Sequence, residues 1–183
     1  MAKKAIVILA EGFEEIEAVT CIDILRRAGI DLTVAGLNSD EVRGSRGLVV
    51  KPDQNLDQAP GGFDACVLPG GMPGASNLAA SKEVISMIKT MAGQGKLVAA
   101  ICASPAVVLT AAGLLENRSA TCYPGMEDSF GPKTAYKKES VVIDGNIITS
   151  RGPATAMEFG LTIAERLAGK ETAAKVRKAI LID

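Results

Sequence analysis

Two kinds of apolar patterning alternate along the chain. Ala5 to Leu9 is an unbroken apolar run, as a strand buried on both faces of a parallel sheet requires. Glu14 to Ala28 then carries Ile16, Val19, Ile22 and Leu25 at helical spacing and stops at Gly29, and Ile30 to Leu37 supplies the next strand. This β-α-β opening predicts a right-handed parallel crossover. Asn38 to Pro60 is polar and broken, with a short apolar piece at Leu48 to Val50 that predicts a side hairpin or connection. Phe63 to Leu68 is another core strand, emptying into Pro69-Gly70-Gly71-Met72-Pro73-Gly74.

Ser81 to Met91 has the period of an amphipathic helix, and Leu97 to Ile101 is a further buried strand after Gly93 and Gly95. Pro105 suits the first turn of the helix that follows, closing at Gly113. Ser119 to Cys122 is a short strand-like piece. Val141 to Asp144 and Ile147 to Ser150 form a hairpin across Gly145-Asn146, and Thr155 to Ala168 is a long amphipathic helix ended by Gly169. This order predicts one α/β domain over residues 1–183, a doubly wound sandwich of helices on a mainly parallel sheet, with its site at the carboxyl ends of the strands. The loops Glu11–Glu17, Pro69–Gly74 and Ile101–Ser104 meet at that edge.

Composition narrows the chemistry. With 183 residues and 48% hydrophobic content, the chain can bury roughly 70% of its unfolded surface. A net charge of −1 with scattered Lys and Arg gives no basic stripe for nucleic acid and no polybasic patch for a membrane. The apolar run at Ala5 to Ala10 stops at Glu11, short of a usable signal sequence, so a cytoplasmic, reducing location and free thiols are expected for Cys21, Cys66, Cys102 and Cys122. The most decisive count is zero histidines, which removes Ser-His-Asp and Cys-His catalysis within one chain and almost every catalytic zinc site. No metal and no cofactor is expected. The first turn, Glu11-Gly12-Phe13-Glu14-Glu15, is too acidic and too poor in glycine for a dinucleotide, and the Pro69–Gly74 loop lacks the Lys-Ser/Thr of a phosphate loop.

Cys102 sits where a strand turns into a helix. Such a turn surrounds a nucleophile with free helix N-terminal N–H groups, which favour a thiolate, and demands small neighbours, here Ala100 and Ser104. Without that role, Cys102 is a small buried apolar residue. Gly70 and Gly71 can bring backbone N–H groups against a substrate oxygen. One turn into the first helix, Glu17 can face the elbow; protonated in an apolar pocket, it would donate to the thiolate and serve as the acid/base. Alternatively, it only complements the helix N-terminus. Glu14 and Glu15 are expected to face solvent or a partner subunit.

The segments Glu11-Gly12-Phe13-Glu14-Glu15-Ile16-Glu17, Val67-Leu68-Pro69-Gly70-Gly71, Ala99-Ala100-Ile101-Cys102-Ala103 and Thr149-Ser150-Arg151-Gly152-Pro153-Ala154-Thr155, together with Val34-Ala35-Gly36-Leu37 and Ser45-Arg46, resemble the ThiJ/PfpI superfamily, and within it the DJ-1 branch. The resemblance implies a flavodoxin-like three-layer α/β/α fold, a homodimer, Cys102 as an oxidisable nucleophile, Glu17 as its carboxylic partner, and an oxyanion site at Gly71 and Ala103 N–H. It implies cofactor-independent glyoxalase or deglycase activity on methylglyoxal or glycated protein, or a redox-sensor and stress-chaperone role in which Cys102 oxidises to a sulfinate. Many relatives carry a histidine where this chain has Cys122-Tyr123-Pro124. Tyr123, with an unperturbed pKa near ~10, is a weaker proton shuttle. Tyr123, Cys122, Arg46 and Arg151 are candidates to line the site, and Cys122 to resolve an oxidised Cys102; Cys21 and Cys66 are expected spectators. Arg26, Arg27 and Arg46 flank the acidic loop and are expected near a two-fold interface.

Overall fold

β1 (Lys4–Leu9) lies inside a seven-stranded sheet in the computed structural model, which describes residues 2–182. Its run is apolar throughout because both faces are covered: Val7 and Leu9 point into one core layer, Ile6 and Ile8 into the other. α1 (Glu15–Arg27) crosses to β2 (Asp31–Gly36), which pairs parallel with β1. β3 (Val42–Arg43) and β4 (Val49–Val50) form the side hairpin, and β5 (Gln54–Asn55) returns to pair with β2 at the sheet edge. β6 (Ala65–Leu68) is followed by α2 (Gly74–Ala80), α3 (Lys82–Gly93) and β7 (Leu97–Ile101).

After β7 the helix carries a turn of π geometry at Pro105–Leu109. β8 (Ser119–Ala120) pairs parallel with β9 (Ala135–Tyr136) outside the main sheet. β10 (Val141–Asp144) and β11 (Ile147–Ser150) make the antiparallel hairpin, turning through Gly145 at φ 61°. α4 (Ala156–Ala168) and α5 (Lys170–Ala179) complete the chain. The sheet order is β10-β11-β7-β6-β1-β2-β5, parallel except for β10. One layer, from α1, α4 and α5, packs Cys21, Ile24, Leu25, Phe159 and Ile163 on one sheet face; the other, from α2, α3 and the helix after β7, packs Leu78, Val84, Ile88 and Val108 on the opposite face. This is the flavodoxin-like α/β sandwich.

Three readings need correction. In α1 the buried face is Glu17, Ala18, Cys21, Ile24 and Leu25, whereas Ile16 and Val19 are 57% and 45% exposed. Small residues made this possible: Gly160 of α4 lets Ile24 approach so closely that a Cβ there would sit 3.0 Å from the Ile24 Cδ1. Short α2, polar β5 and amphipathic α5 carry too few apolar positions to stand out. Finally, Glu14 and Glu15 bind within the chain. Glu14 caps α1 by accepting the Glu17 N–H at 2.8 Å, and Glu15 accepts from Arg46 N–H at 2.6 Å and from the Ser45 hydroxyl at 3.2 Å, fastening the side hairpin to the helix.

Candidate active site

Cys102 follows the last residue of β7 and has φ 65°, the left-handed region that L side chains avoid. Neighbouring main chain holds it there. Its N–H donates to Ser150 O at 2.9 Å, extending the β7–β11 pairing, and its carbonyl accepts the Tyr123 N–H at 2.8 Å. Tyr123 is brought alongside by the preceding segment, where Thr121 N–H donates to the Thr149 hydroxyl at 2.9 Å. Ala100 and Ser104 are fully buried, as the tight turn requires, and Ser104 Oγ donates to Pro69 O, tying the elbow to the glycine loop. Cys102 keeps 8% of its surface, while Cys21, Cys66 and Cys122 keep none.

The glycine loop meets both the elbow and α1. Glu14 N–H donates to Gly70 O at 2.9 Å, and Gly70 N–H donates to Glu17 Oε2 at 2.8 Å. Gly70 is therefore not an oxyanion donor, because its N–H is committed to Glu17; it is a positioning residue. No side chain fits at 70, where a Cβ would lie 2.6 Å from Cys102 Cβ and 2.8 Å from Glu17 Oε2. The N–H groups of Gly71 and Ala103, the other two amides of the predicted oxyanion site, act on the Cys102 sulfur in the sense that favours its thiolate.

Glu17 is fully buried. Burial raises its carboxyl pKa to about 7, against the lowering effects of Cys102 and the Gly70 N–H. Oε1 is buried and makes no hydrogen bond of ordinary distance and angle; the Cys102 thiol is the side chain that couples to this carboxyl. With Glu17 ionised, burial and then the carboxylate charge hold the Cys102 thiol well above its ordinary value, outweighing Gly71 and Ala103 N–H. The main-chain N–H groups around the sulfur favour its thiolate, while desolvation and the adjacent carboxylate oppose it, so the helix N-terminus does not act on this thiol alone. The titration of the two groups is therefore coupled, each depending on whether the other is charged.

Of the remaining candidates, Tyr123 and Arg151 line a cleft of about 270 Å³ with Ser140, Gly152, Pro153 and Thr155. Gly152 is the residue that sequence reasoning quoted without assigning a role. A Cβ there would lie 3.4 Å from the Tyr123 ring and 4.0 Å from Cys102 Sγ, so this glycine is the wall between cleft and sulfur. The signal was a glycine just beyond β11, beside the strand carrying the nucleophile. Cys122 is buried, and burial first, then Glu127, pushes its thiol up to about 11. Burial also pushes Cys66 up to about 12 and raises Cys21. Arg46 is exposed and anchored through its main chain to Glu15, while Arg26 and Arg27 pair with Asp53 and Asp23. Among the described residues, no three His, Cys, Asp or Glu side chains converge as a metal site, and no helix is long and apolar enough to cross a membrane.

Comparison with known proteins identifies relatives along the whole chain. The chain is 46% identical to Protein dj-1beta of Drosophila melanogaster, over 100% of this chain and 98% of the fly protein. It is 37% identical to the glutathione-independent glyoxalase DJR-1.2 of Caenorhabditis elegans, over 98% of this chain and 97% of the worm protein. The crystal structure of Drosophila melanogaster DJ-1beta superposes with a TM-score of 0.96 at 46% identity, covering 100% of both chains. With the DJ-1/PfpI family profile matching residues 3–166, this chain belongs to the DJ-1/PfpI family.

Proposed function

We propose that the chain is a cofactor-independent, cysteine-dependent glyoxalase that converts methylglyoxal and water to lactate, and that glycated protein adducts of the same aldehyde are its second substrate class. The observation that carries this reading is the unpartnered, buried Oε1 of Glu17 coupled to the one partly exposed thiol. A carboxyl with a pKa of about 7 both accepts and returns protons at neutral pH, so it replaces the missing imidazole.

In the first step Sγ bonds to the aldehyde carbon while Glu17 takes the thiol proton, and the carbonyl electron pair moves to oxygen. Gly71 and Ala103 N–H, which favour negative charge at the sulfur, stabilise that oxygen on the carbon now bonded to it. Glu17 returns that proton to the oxygen, giving a hemithioacetal, then removes the former aldehyde proton from C1 and delivers it to C2 while the hydroxyl proton moves from the C1 oxygen to the C2 oxygen, giving a lactoyl thioester with no net oxidation. Water then cleaves the thioester and restores the thiol. Cys102→Ala and Glu17→Gln are expected to lower lactate formation by at least about 100-fold, with purified protein in chelator. Wild-type rates in either variant overturn this mechanism.

A second reading is favoured by the same cradle: a cysteine sulfinate at 102 would place oxygens against Gly71 and Ala103 N–H and protonated Glu17, so peroxide oxidation becomes a signal, and chaperone action its output. For assembly we propose a homodimer through α1, since Ile16 and Val19 on the helix and Leu48 and Val49 on the hairpin are all more than 40% exposed. Such a protein fits a cytoplasmic location with reduced thiols.

A further inference from the structure

We propose that Arg151 makes the Cys102 site selective for carbonyl compounds that carry a carboxylate or phosphate group. The inference rests on Cys102 as the reacting atom and adds the substrate class. Arg151 is half-buried in a cleft lined by Gly152, where an added Cβ would lie 4.0 Å from Cys102 Sγ. The arginine is fixed at two points: its N–H donates to Ser140 O at 3.3 Å and Nη1 donates to Lys138 O at 3.2 Å. Nε is buried and has no hydrogen-bond partner, so the side of the guanidinium used for bidentate binding is not committed within the chain.

Neighbouring charge leaves this cation unneutralised. Glu127 is the acid that senses Arg151, but its Oε2 accepts the Gly125 N–H at 2.6 Å, and among the described residues no carboxylate lies within ion-pair distance of Arg151. Lys138 adds a second positive charge near Glu127. Glu17, coupled to the Cys102 thiol, is the opposing charge, and its proton uptake during sulfur attack removes that repulsion. A half-buried guanidinium short of an acceptor, set in a cleft beside the nucleophile, is a receptor for an anionic substituent. Tyr123 and Pro153 give the cleft apolar walls for the carbons between that group and the carbonyl.

Alkylation of Cys102 by iodoacetate and by iodoacetamide reads this directly, since the two reagents share size and leaving group and differ in charge. In each, sulfur displaces iodide to form one C–S bond. The other three thiols are fully buried, and mass spectrometry assigns the product to Cys102. Relative to the same two rates for free cysteine, the iodoacetate-to-iodoacetamide ratio is expected to be raised on the order of tenfold, to fall to the free value in Arg151→Gln, and to survive in Arg151→Lys. High salt lowers the raised ratio in the wild-type protein, which supports the inference even where Arg151→Gln does not fold. A wild-type ratio equal to free cysteine, or a raised ratio unchanged by salt or in Arg151→Gln, overturns it. Turnover of 4,5-dioxopentanoate to 2-hydroxyglutarate, compared with its methyl ester, then extends the result to catalysis. Absence of turnover for both dioxo compounds counts against the glyoxalase reading alone, because the alkylation ratio does not depend on it.

Discussion

Replacing Glu17 by Gln should remove one specific component of the pH dependence of stability. The buried carboxyl titrates near about 7 in the folded protein, against 4.5 for the free group, with burial as the main cause. At about 1.4 kcal/mol per pH unit, ionising it costs the native state roughly 3 kcal/mol. Between pH 4.5 and about 7 the unfolded chain has released this proton and the native chain still holds it. Native protein binds more protons there, so this contribution is complete below pH 4.5, declines as pH rises, and is lost above about 7. Asp64, whose carboxyl is held down to about 2 chiefly by Lys96, works in the opposite sense at lower pH and is common to both proteins. In Glu17→Gln the amide oxygen keeps the Gly70 N–H, the amide nitrogen takes the place of Oε1 beside the sulfur, and nothing ionises. Urea unfolding from pH 4.5 to 7.5 should therefore show the wild type losing roughly 3 kcal/mol that the variant retains. Parallel stability curves for the two proteins would refute the raised carboxyl pKa and the proton exchange built on it.

Gly70→Ala should destabilise by about 2 kcal/mol or more and abolish lactate formation, because its Cβ meets Cys102 and Glu17 at under 3.0 Å; thermal unfolding and activity check it, and a wild-type melting curve counts against the close approach. Ile16→Lys should shift the protein to monomer in sedimentation at micromolar concentration with little change in unfolding, as its side chain is 57% exposed; an unchanged dimer places the interface elsewhere, and a monomeric wild type removes the proposal. Mild peroxide should oxidise Cys102 ahead of Cys21, Cys66 and Cys122, read by peptide mass spectrometry; preferential oxidation of a fully buried thiol sinks the sensor reading.

The elements with a strong period were legible in the sequence. β1, β7 and the β10–β11 hairpin follow from apolar runs and one Asp-Gly turn, and the sheet order places Cys102 and Glu17 on one edge as their loops implied. The face of α1 was not legible from apolar spacing. Glu17 lies inward, as its place one turn into the helix beside the elbow implied, but Ile16 and Val19, which the apolar spacing put in the core, lie outward as an exposed patch. Nor was the commitment of the Gly70 N–H, since composition gives a glycine its freedom but not its partner. The thiol pKa depends on desolvation, which arises only once β7, the glycine loop and α1 have closed around the sulfur. β5 was hidden because two polar residues, Gln54 and Asn55, join the sheet through main-chain pairing with β2.

The left-handed backbone at Cys102 separates what stability asks of this position from what chemistry asks of it. A residue with a Cβ at φ 65° carries strain of about 1–3 kcal/mol, and glycine carries almost none there. Glycine at 102 would relieve that strain but give up a small buried side chain and lose more freedom on folding, so the stability terms are of similar size and opposite sign. Stability alone therefore gives little reason to keep a sulfur at this position, and a use for the thiol is what would make cysteine worth its backbone.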